Sequence, residues 1–194
     1  AASDVYKRQT TEMFRTTFEK IRANFRDLFT EVFEGGKADL VLVDEEDVLS
    51  SGIEIVARPP GKKLQSISLL SGGEQTMTAV ALMFSIYQVS PSPFCVLDEL
   101  DAPLDESNIN RFIRVLKRFI KHSQFLVITH NKRTISMADT LYGVTMQEHG
   151  VSRSWARWCT FVEQMQRLQT ILETWVIRSH HAVVCVVQAQ QSSI

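Results

Sequence analysis

Two short runs constrain this chain more than anything else in it. Phe94–Leu97 (FCVL) and Phe125–Ile128 (FLVI) are continuously apolar, too short for core helices, and each ends abruptly in polar residues, Asp98-Glu99 and Thr129-His130. A strand without polar alternation is buried on both faces, which is the condition of a strand inside a parallel sheet. Between the runs, Ile109, Phe112, Ile113, Leu116, Phe119 and Ile120 recur at helical spacing and predict an amphipathic helix. Ahead of them, TMTAVALMFSIYQV (76–89) is apolar on nearly every side, as a helix buried on most faces would be, and Pro91 and Pro93 close it. After them come a short helix and the strand-like LYGVTM (141–146). The order β-α-β-α-β predicts an α/β fold, a mainly parallel sheet with flanking helices, and places any ligand at the carboxyl ends of its strands.

The first third of the chain reads differently. Residues 1–10 show no periodicity and are expected to stand outside the fold. From Met13 onward, Phe14, Phe18, Ile21, Phe25, Leu28 and Val32 step by three and four along one helical seam, and Gly35-Gly36 stop it. Ala38–Val43 and Ile53–Ala57 flank a polar loop and predict a β-hairpin with a long connection; Leu64–Leu69 alternates as a third strand would.

Composition excludes several classes. The net charge of the 194 residues is −1, so no bulk basic field advertises nucleic acid. Three widely spaced cysteines, Cys95, Cys159 and Cys185, form neither a disulfide framework nor a zinc pattern, and they fit a reducing compartment. No run is long enough for a membrane helix and no signal peptide opens the chain, so a cytoplasmic address without membrane contact is expected.

The chemistry concentrates at strand ends. A hydrophobic strand ending in Asp is the Walker B arrangement: Asp98 would hold Mg²⁺ at a nucleotide's phosphates, and Glu99 could polarise an attacking water as general base. Acids at a strand end also simply meet solvent. His130, at the end of a second strand in the same sheet, is placed to contact a γ-phosphate or its water. Ser71-Gly72-Gly73-Glu74 fits a capping box at the mouth of the buried helix. Two glycines there cost helix stability, a cost that makes sense where a phosphate must approach backbone N–H groups at a positive helix end.

Taken together, LSGGE (70–74), FCVLDELDAPLDE (94–106) and VITHN (127–131), in this order and spacing, resemble the ABC-type ATPase head of the SMC proteins, the bacterial chromosome-condensation branch most of all. PPGKKLQSISLLSGGE (59–74) and DTLYGVTMQEHGVS (139–152) resemble the same family outside its motifs, so the likeness covers about residues 12–153. The resemblance implies that this is the C-terminal half of a P-loop ATPase head, with ATP and Mg²⁺ as substrate and cofactor, and with 12–34 as the helix where a coiled coil enters. It further implies that Ser71, Gly72 and Gly73 contact the γ-phosphate of ATP bound to the opposite head, and that Asp98 is the magnesium residue and Glu99 the catalytic glutamate. Pro103, Leu104 and Asp105 would form the D-loop, and His130 would be the switch histidine. Implied partners are an N-terminal head lobe, a second head, a kleisin subunit and DNA, in a nucleoid-associated cytoplasmic setting serving chromosome condensation and segregation.

Some features depart from that pattern. No G-x-x-x-x-G-K-[ST] occurs, so the chain carries no P-loop Lys or phosphate cradle; in the SMC family that loop lies in the N-terminal half of the head. Residues 154–194 leave the family pattern and stay unassigned: Trp155, Trp158, Phe161, Met165, Leu168 and Leu172 sit at helical spacing as a packing stripe, 182–187 is strand-like, and His180-His181 read as surface residues. Arg111, Arg114, Lys117, Arg118 and Lys121 give a basic helix face, either solvated or a DNA contact. Alternatives to the SMC reading are a DNA-repair ATPase with the same head and a fragment acting only as a kleisin-binding module. A transporter ATPase fits less well, since that class typically carries Gln where Glu74 stands.

Overall fold

A computed structural model of the chain describes residues 2–148, 151–158 and 183–187, with side chains described over 5–143. These fall into two compact units, Ala1–Pro91 and Ser92–Ile194.

In the first unit, helix α1 (Ala2–Phe33) carries the predicted seam. Phe18, Phe25, Leu28, Phe29, Val32 and Phe33 are buried, and the rings of Phe29 and Phe33 stack with centroids 4.2 Å apart. The helix starts earlier than expected. Residues 2–10, which have no apolar period, continue it, with the side chains of 5–9 exposed, because Lys, Arg and Gln are good helix formers that need no buried face. At its other end Gly36 (φ +79°) is required: a Cβ there would stand 2.4 Å from the Arg58 carbonyl oxygen.

Strands β1 (Lys37–Leu42) and β2 (Ile53–Arg58) then pair antiparallel as the predicted hairpin, from Lys37↔Arg58 to Leu42↔Ile53. The third strand is shorter than the alternation suggested. β3 (Gln65–Ser66) pairs with β2, and the chain then coils into a 3₁₀ turn at Ile67–Leu69 that leads into the next helix. Helix α2 (Gly72–Val89) is buried on most faces, as its composition predicted; Met77, Val80, Ala81 and Phe84 are at most 1% exposed.

In the second unit, β4 (Phe94–Asp98) and β5 (Gln124–Thr129) pair parallel, Phe94↔Gln124 through Asp98↔Ile128. Helix α3 (Glu106–Phe119) connects them and buries Ile109, Phe112, Val115, Leu116 and Phe119. The short α4 (Lys132–Ile135) leads to β6 (Thr140–Glu148), and the sheet is completed by β7 (Val151–Trp158) and β8 (Val183–Val187) in the order β4-β5-β8-β6-β7. β8 is antiparallel to both β5 and β6. Hence β4, β5 and β6 all run the same way, as the β-α-β-α-β order requires, and the two strands drawn wholly or partly from the tail run against them.

One expectation is corrected here. Trp155 and Trp158 lie on strand β7, not on a helix, because pairing with β6 (Gly143↔Trp155, Thr140↔Trp158) takes their backbone. Phe161, Met165, Leu168, Leu172, His180 and His181 lie outside the described residues.

Candidate functional site

The carboxyl ends of β4 and β5 bring three of the predicted residues together. Asp98 is the last residue of β4 and is exposed. The next residue, Glu99, extends the ladder by one bond, its N–H donating to the Ile128 carbonyl at 2.9 Å. Its backbone then turns left-handed, φ +48°, a conformation that L-residues other than Gly, Asn and Asp rarely hold. That turn sets Glu99 Oε1 3.1 Å from His130 Nε2, which comes off the end of β5. Both side chains are about half exposed. A carboxylate and an imidazole side by side at an open strand end can hold, take and return the proton of a water between them and a phosphate.

Beneath this pair lies a cluster that sequence reasoning did not assign. Asp101 is 3% exposed, and its Oδ2 accepts from Thr129 Oγ1 at 2.6 Å and from Thr134 Oγ1 at 2.5 Å. Both threonines are fully buried. Thr129 Oγ1 in turn accepts from the Asn131 N–H at 2.9 Å. The loop after β4 is thereby fastened on both sides of His130, to the end of β5 through Thr129 and to α4 through Thr134. The available signal was an Asp and two Thr near strand ends, and sequence alone does not say which acid faces inward.

Asp105 is the N-cap of α3 and accepts from the Asn108 N–H at 2.8 Å. Arg133 bridges back to α3 through Glu106 at 2.8 Å and Asn110 at 2.9 Å. On α3, Arg114, Lys117 and Arg118 are exposed and Arg111 donates to Asn108 at 3.3 Å; Lys121, also exposed, lies in the turn after the helix rather than on its face.

Ser71, Gly72 and Gly73 stand in the other unit, at the start of α2. The capping box closes: Glu74 Oε2 accepts from the Ser71 N–H at 3.0 Å and the Ser71 hydroxyl at 2.8 Å, and also from Lys62 Nζ at 2.8 Å. Burial opposes ionisation of Glu74, but the bonds from Lys62 and Ser71 outweigh it and hold its carboxyl below the usual range. Gly72 is not there for lack of room. An added Cβ would meet nothing within 4 Å, and its φ is not positive. Neither packing nor backbone geometry accounts for it, whereas close approach of a ligand to the helix mouth would.

Among the described residues no group of three or more His, Cys, Asp and Glu side chains could hold a metal ion, and no helix is long and apolar enough to cross a membrane. One exposed carboxylate is nevertheless the protein contribution that a nucleotide-bound Mg²⁺ calls for, since phosphate oxygens and waters complete its shell. Asp98 fits that role. Cys95 is partly buried on β4, and burial pushes its thiol up, away from reactivity.

A mainly parallel α/β sheet with an acid pair and a histidine at the carboxyl ends of neighbouring strands puts this chain in the fold class of the SMC ATPase heads. More narrowly, the chain belongs to the RecF/RecN/SMC N terminal domain family, whose model matches residues 7–153. It is 56% identical over 145 residues to the chromosome partition protein Smc of Bacillus subtilis (strain 168), covering 75% of this chain and 12% of that one. To the Smc of Rhodopirellula baltica it is 59% identical over 141 residues, or 73% and 12%. The chain thus spans about an eighth of the length of these relatives.

Solved structures agree. An SMC ATPase structure described for ATP-driven dimerization and DNA-stimulated activation superposes with a TM-score of 0.70 at 38% identity, covering 82% of this chain and 96% of that one. An Smc head bound to the C-winged helix domain of ScpA gives 0.72 at 38%, over 81% and 48%. The Smc head of Pyrococcus yayanosii, with its coiled coil and joint, gives 0.74 at 37%, over 86% and 32%.

Proposed function

We propose that this chain is the C-terminal lobe of an SMC ATPase head acting in chromosome condensation and segregation, completed by an N-terminal lobe that supplies the P-loop. The observation that carries this reading is the Asp98, Glu99 and His130 group at the ends of β4 and β5, with Glu99 turned onto His130 at 3.1 Å.

The chemistry follows from that placement. Glu99 orients a water toward the γ-phosphorus and accepts its proton as the new P–O bond forms; the bond to the bridging oxygen breaks and ADP leaves. His130 holds Glu99 and the γ-phosphate oxygens in register. Asp98 would hold Mg²⁺, which would supply charge neutralisation on the phosphates. Asp101, through Thr129 and Thr134, keeps the two loops at fixed separation. Ser71, Gly72 and Gly73 act on the ATP of a second head, with Ser71 and the first N–H groups of α2 turned to that phosphate, and Asp105 lies on the loop that crosses between heads. Hydrolysis would then release the two heads.

The solved heads bound to ScpA domains support a kleisin as partner for this chain as well. DNA contact is assigned to the exposed basic residues of α3. A second reading, a DNA-repair ATPase, draws on the breadth of the family, whose name includes RecF and RecN.

ATP turnover with Mg²⁺ tests the reading, measured for the chain alone, for the chain mixed with a P-loop-bearing N-terminal SMC lobe, and for the same mixture with Glu99→Gln. Turnover in the mixture only, lost in the variant, is the expected result. Turnover by the chain alone, or an assembled mixture with none, would overturn it; in the second case a kleisin-binding module without catalysis is what remains.

A further inference from the structure

We propose that β8 is a placeholder strand: it occupies the position that the P-loop-bearing strand of the N-terminal lobe takes, and it must leave before the site can be completed. The proposal rests on the two-lobe reading given above.

The sheet carries the argument. β4, β5 and β6 run in one direction, and β8 is wedged between β5 and β6 against that direction. It is paired on both edges, from Phe125↔Val187 to Thr129↔Val183 on one side and from Thr140↔Val186 to Gly143↔Val183 on the other. The match to the family ends at residue 153, before β8 begins. The matched part thus holds β4, β5 and β6 but not β8, and the gap between β5 and β6 is the place in the matched sheet that a segment of a second lobe could take.

The chemistry says what kind of segment. A P-loop follows the carboxyl end of a strand and opens a helix. For its phosphates to meet Asp98 and His130, that strand must run parallel to β4 and β5 in the same sheet. Two places could receive such a strand, the open outer edge of β4 and the edge of β5 that β8 covers, and the second is the one that would join β5 to β6 within the matched part. β8 cannot serve the purpose itself. It runs the wrong way, so its first residue, Val183, stands beside Thr129 where a P-loop would have to begin.

Exchange is also energetically open. The incoming strand would replace ladder bonds with ladder bonds, so backbone pairing alone does not favour either occupant strongly. The lobe has more to gain, because β4 is open on one face: Phe94 is 59% and Val96 55% exposed, although strands of parallel sheets ordinarily have both faces covered.

Hydrogen exchange on the full chain, with and without a P-loop-bearing N-terminal SMC lobe, reads the exchange of strands directly, and Cys185→Pro provides an independent arm. Residue 185 pairs with Val127 and Leu141, and proline there removes an N–H from the middle of the strand. On lobe binding, amides of 183–187 are expected to lose protection while those of 125–129 keep theirs. The variant is expected to bind the lobe about tenfold more tightly, as when a state populated at nine parts in ten no longer competes. If the lobe binds while 183–187 stay protected, β8 is a permanent strand and the proposal fails, although the two-lobe reading stands. If the lobe binds neither the natural chain nor the variant, the two-lobe reading fails and takes the proposal with it. Should the variant not fold, exchange on the natural chain decides alone.

Discussion

Glu99 is where this chain carries visible backbone strain beside its reactive groups. A glutamate at φ +48° costs on the order of 1–2 kcal/mol relative to an ordinary conformation, and what the turn achieves is the approach to His130. Strain of this kind, sited beside reactive groups, predicts a trade between stability and activity. Glu99→Gly is expected to stabilise the chain by about 1 kcal/mol in urea unfolding, because glycine adopts this φ freely, while abolishing turnover of the two-lobe mixture. A loss of stability would mean that the glutamate side chain contributes more than the turn costs. Asp101 makes the opposite case. Asp101→Ala leaves the hydroxyls of Thr129 and Thr134 buried without their shared acceptor, so it is expected to cost about 2–4 kcal/mol in the same assay. Of these residues, Asp98, Glu99 and His130 were legible because strand ends can be read from apolar runs. Asp101 was not, because direction of burial within a polar loop is set by partners 28 and 33 residues away.

At the level of elements, α1 is fastened to β1 by one carboxylate held between two guanidinium groups. Asp39 accepts from Arg22 at 2.7 and 2.9 Å and from Arg26 at 3.0 and 2.6 Å. Partial burial pushes the Asp39 carboxyl up, but the hydrogen bonds and charges of the two arginines outweigh it and hold it well below the usual carboxylate range. The sign follows. In the unfolded chain Asp39 takes up its proton near pH 4, before the folded chain does. Its contribution is therefore complete above that pH and is lost as pH falls through the lower folded value. Asp39→Asn should cost about 1 kcal/mol at neutral pH, and its unfolding free energy should fall less steeply than the natural chain's below about pH 4. Parallel acid limbs for the two proteins would show that the pair of arginines is not what lowers the carboxyl. Periodicity found both elements but not this tie, since Arg22 and Arg26 are merely the polar side of the seam until the hairpin folds against it. The same limit explains Trp155 and Trp158: spacing that suited a helix gave way to pairing with β6.

For the molecule as a whole, the apolar runs that disclosed the sheet also disclose something missing from it. FCVL and FLVI contain no polar alternation, which predicts burial on both faces. Among the described residues one face is largely buried, and the other is partly buried on β5 and open on β4. Leu97, Phe125 and Val127 are at most 1% exposed, while Phe94 and Val96 on the opposite face are more than half exposed. The uninterrupted apolar character of β4 therefore calls for a cover over Phe94 and Val96, and on the two-lobe proposal that cover is the N-terminal lobe. The uncovered face should be dispensable for the isolated chain and indispensable for the assembled head. Phe94→Ser together with Val96→Ser should change unfolding stability by no more than about 1 kcal/mol, because exposed positions carry little of the burial free energy. Titrated with a P-loop-bearing N-terminal lobe, the double variant should bind at least about tenfold more weakly, the equivalent of about 1.4 kcal/mol. Equal binding by a folded double variant would show that this face is not where the second lobe lies, and the uninterrupted apolar character of β4 would then need another partner.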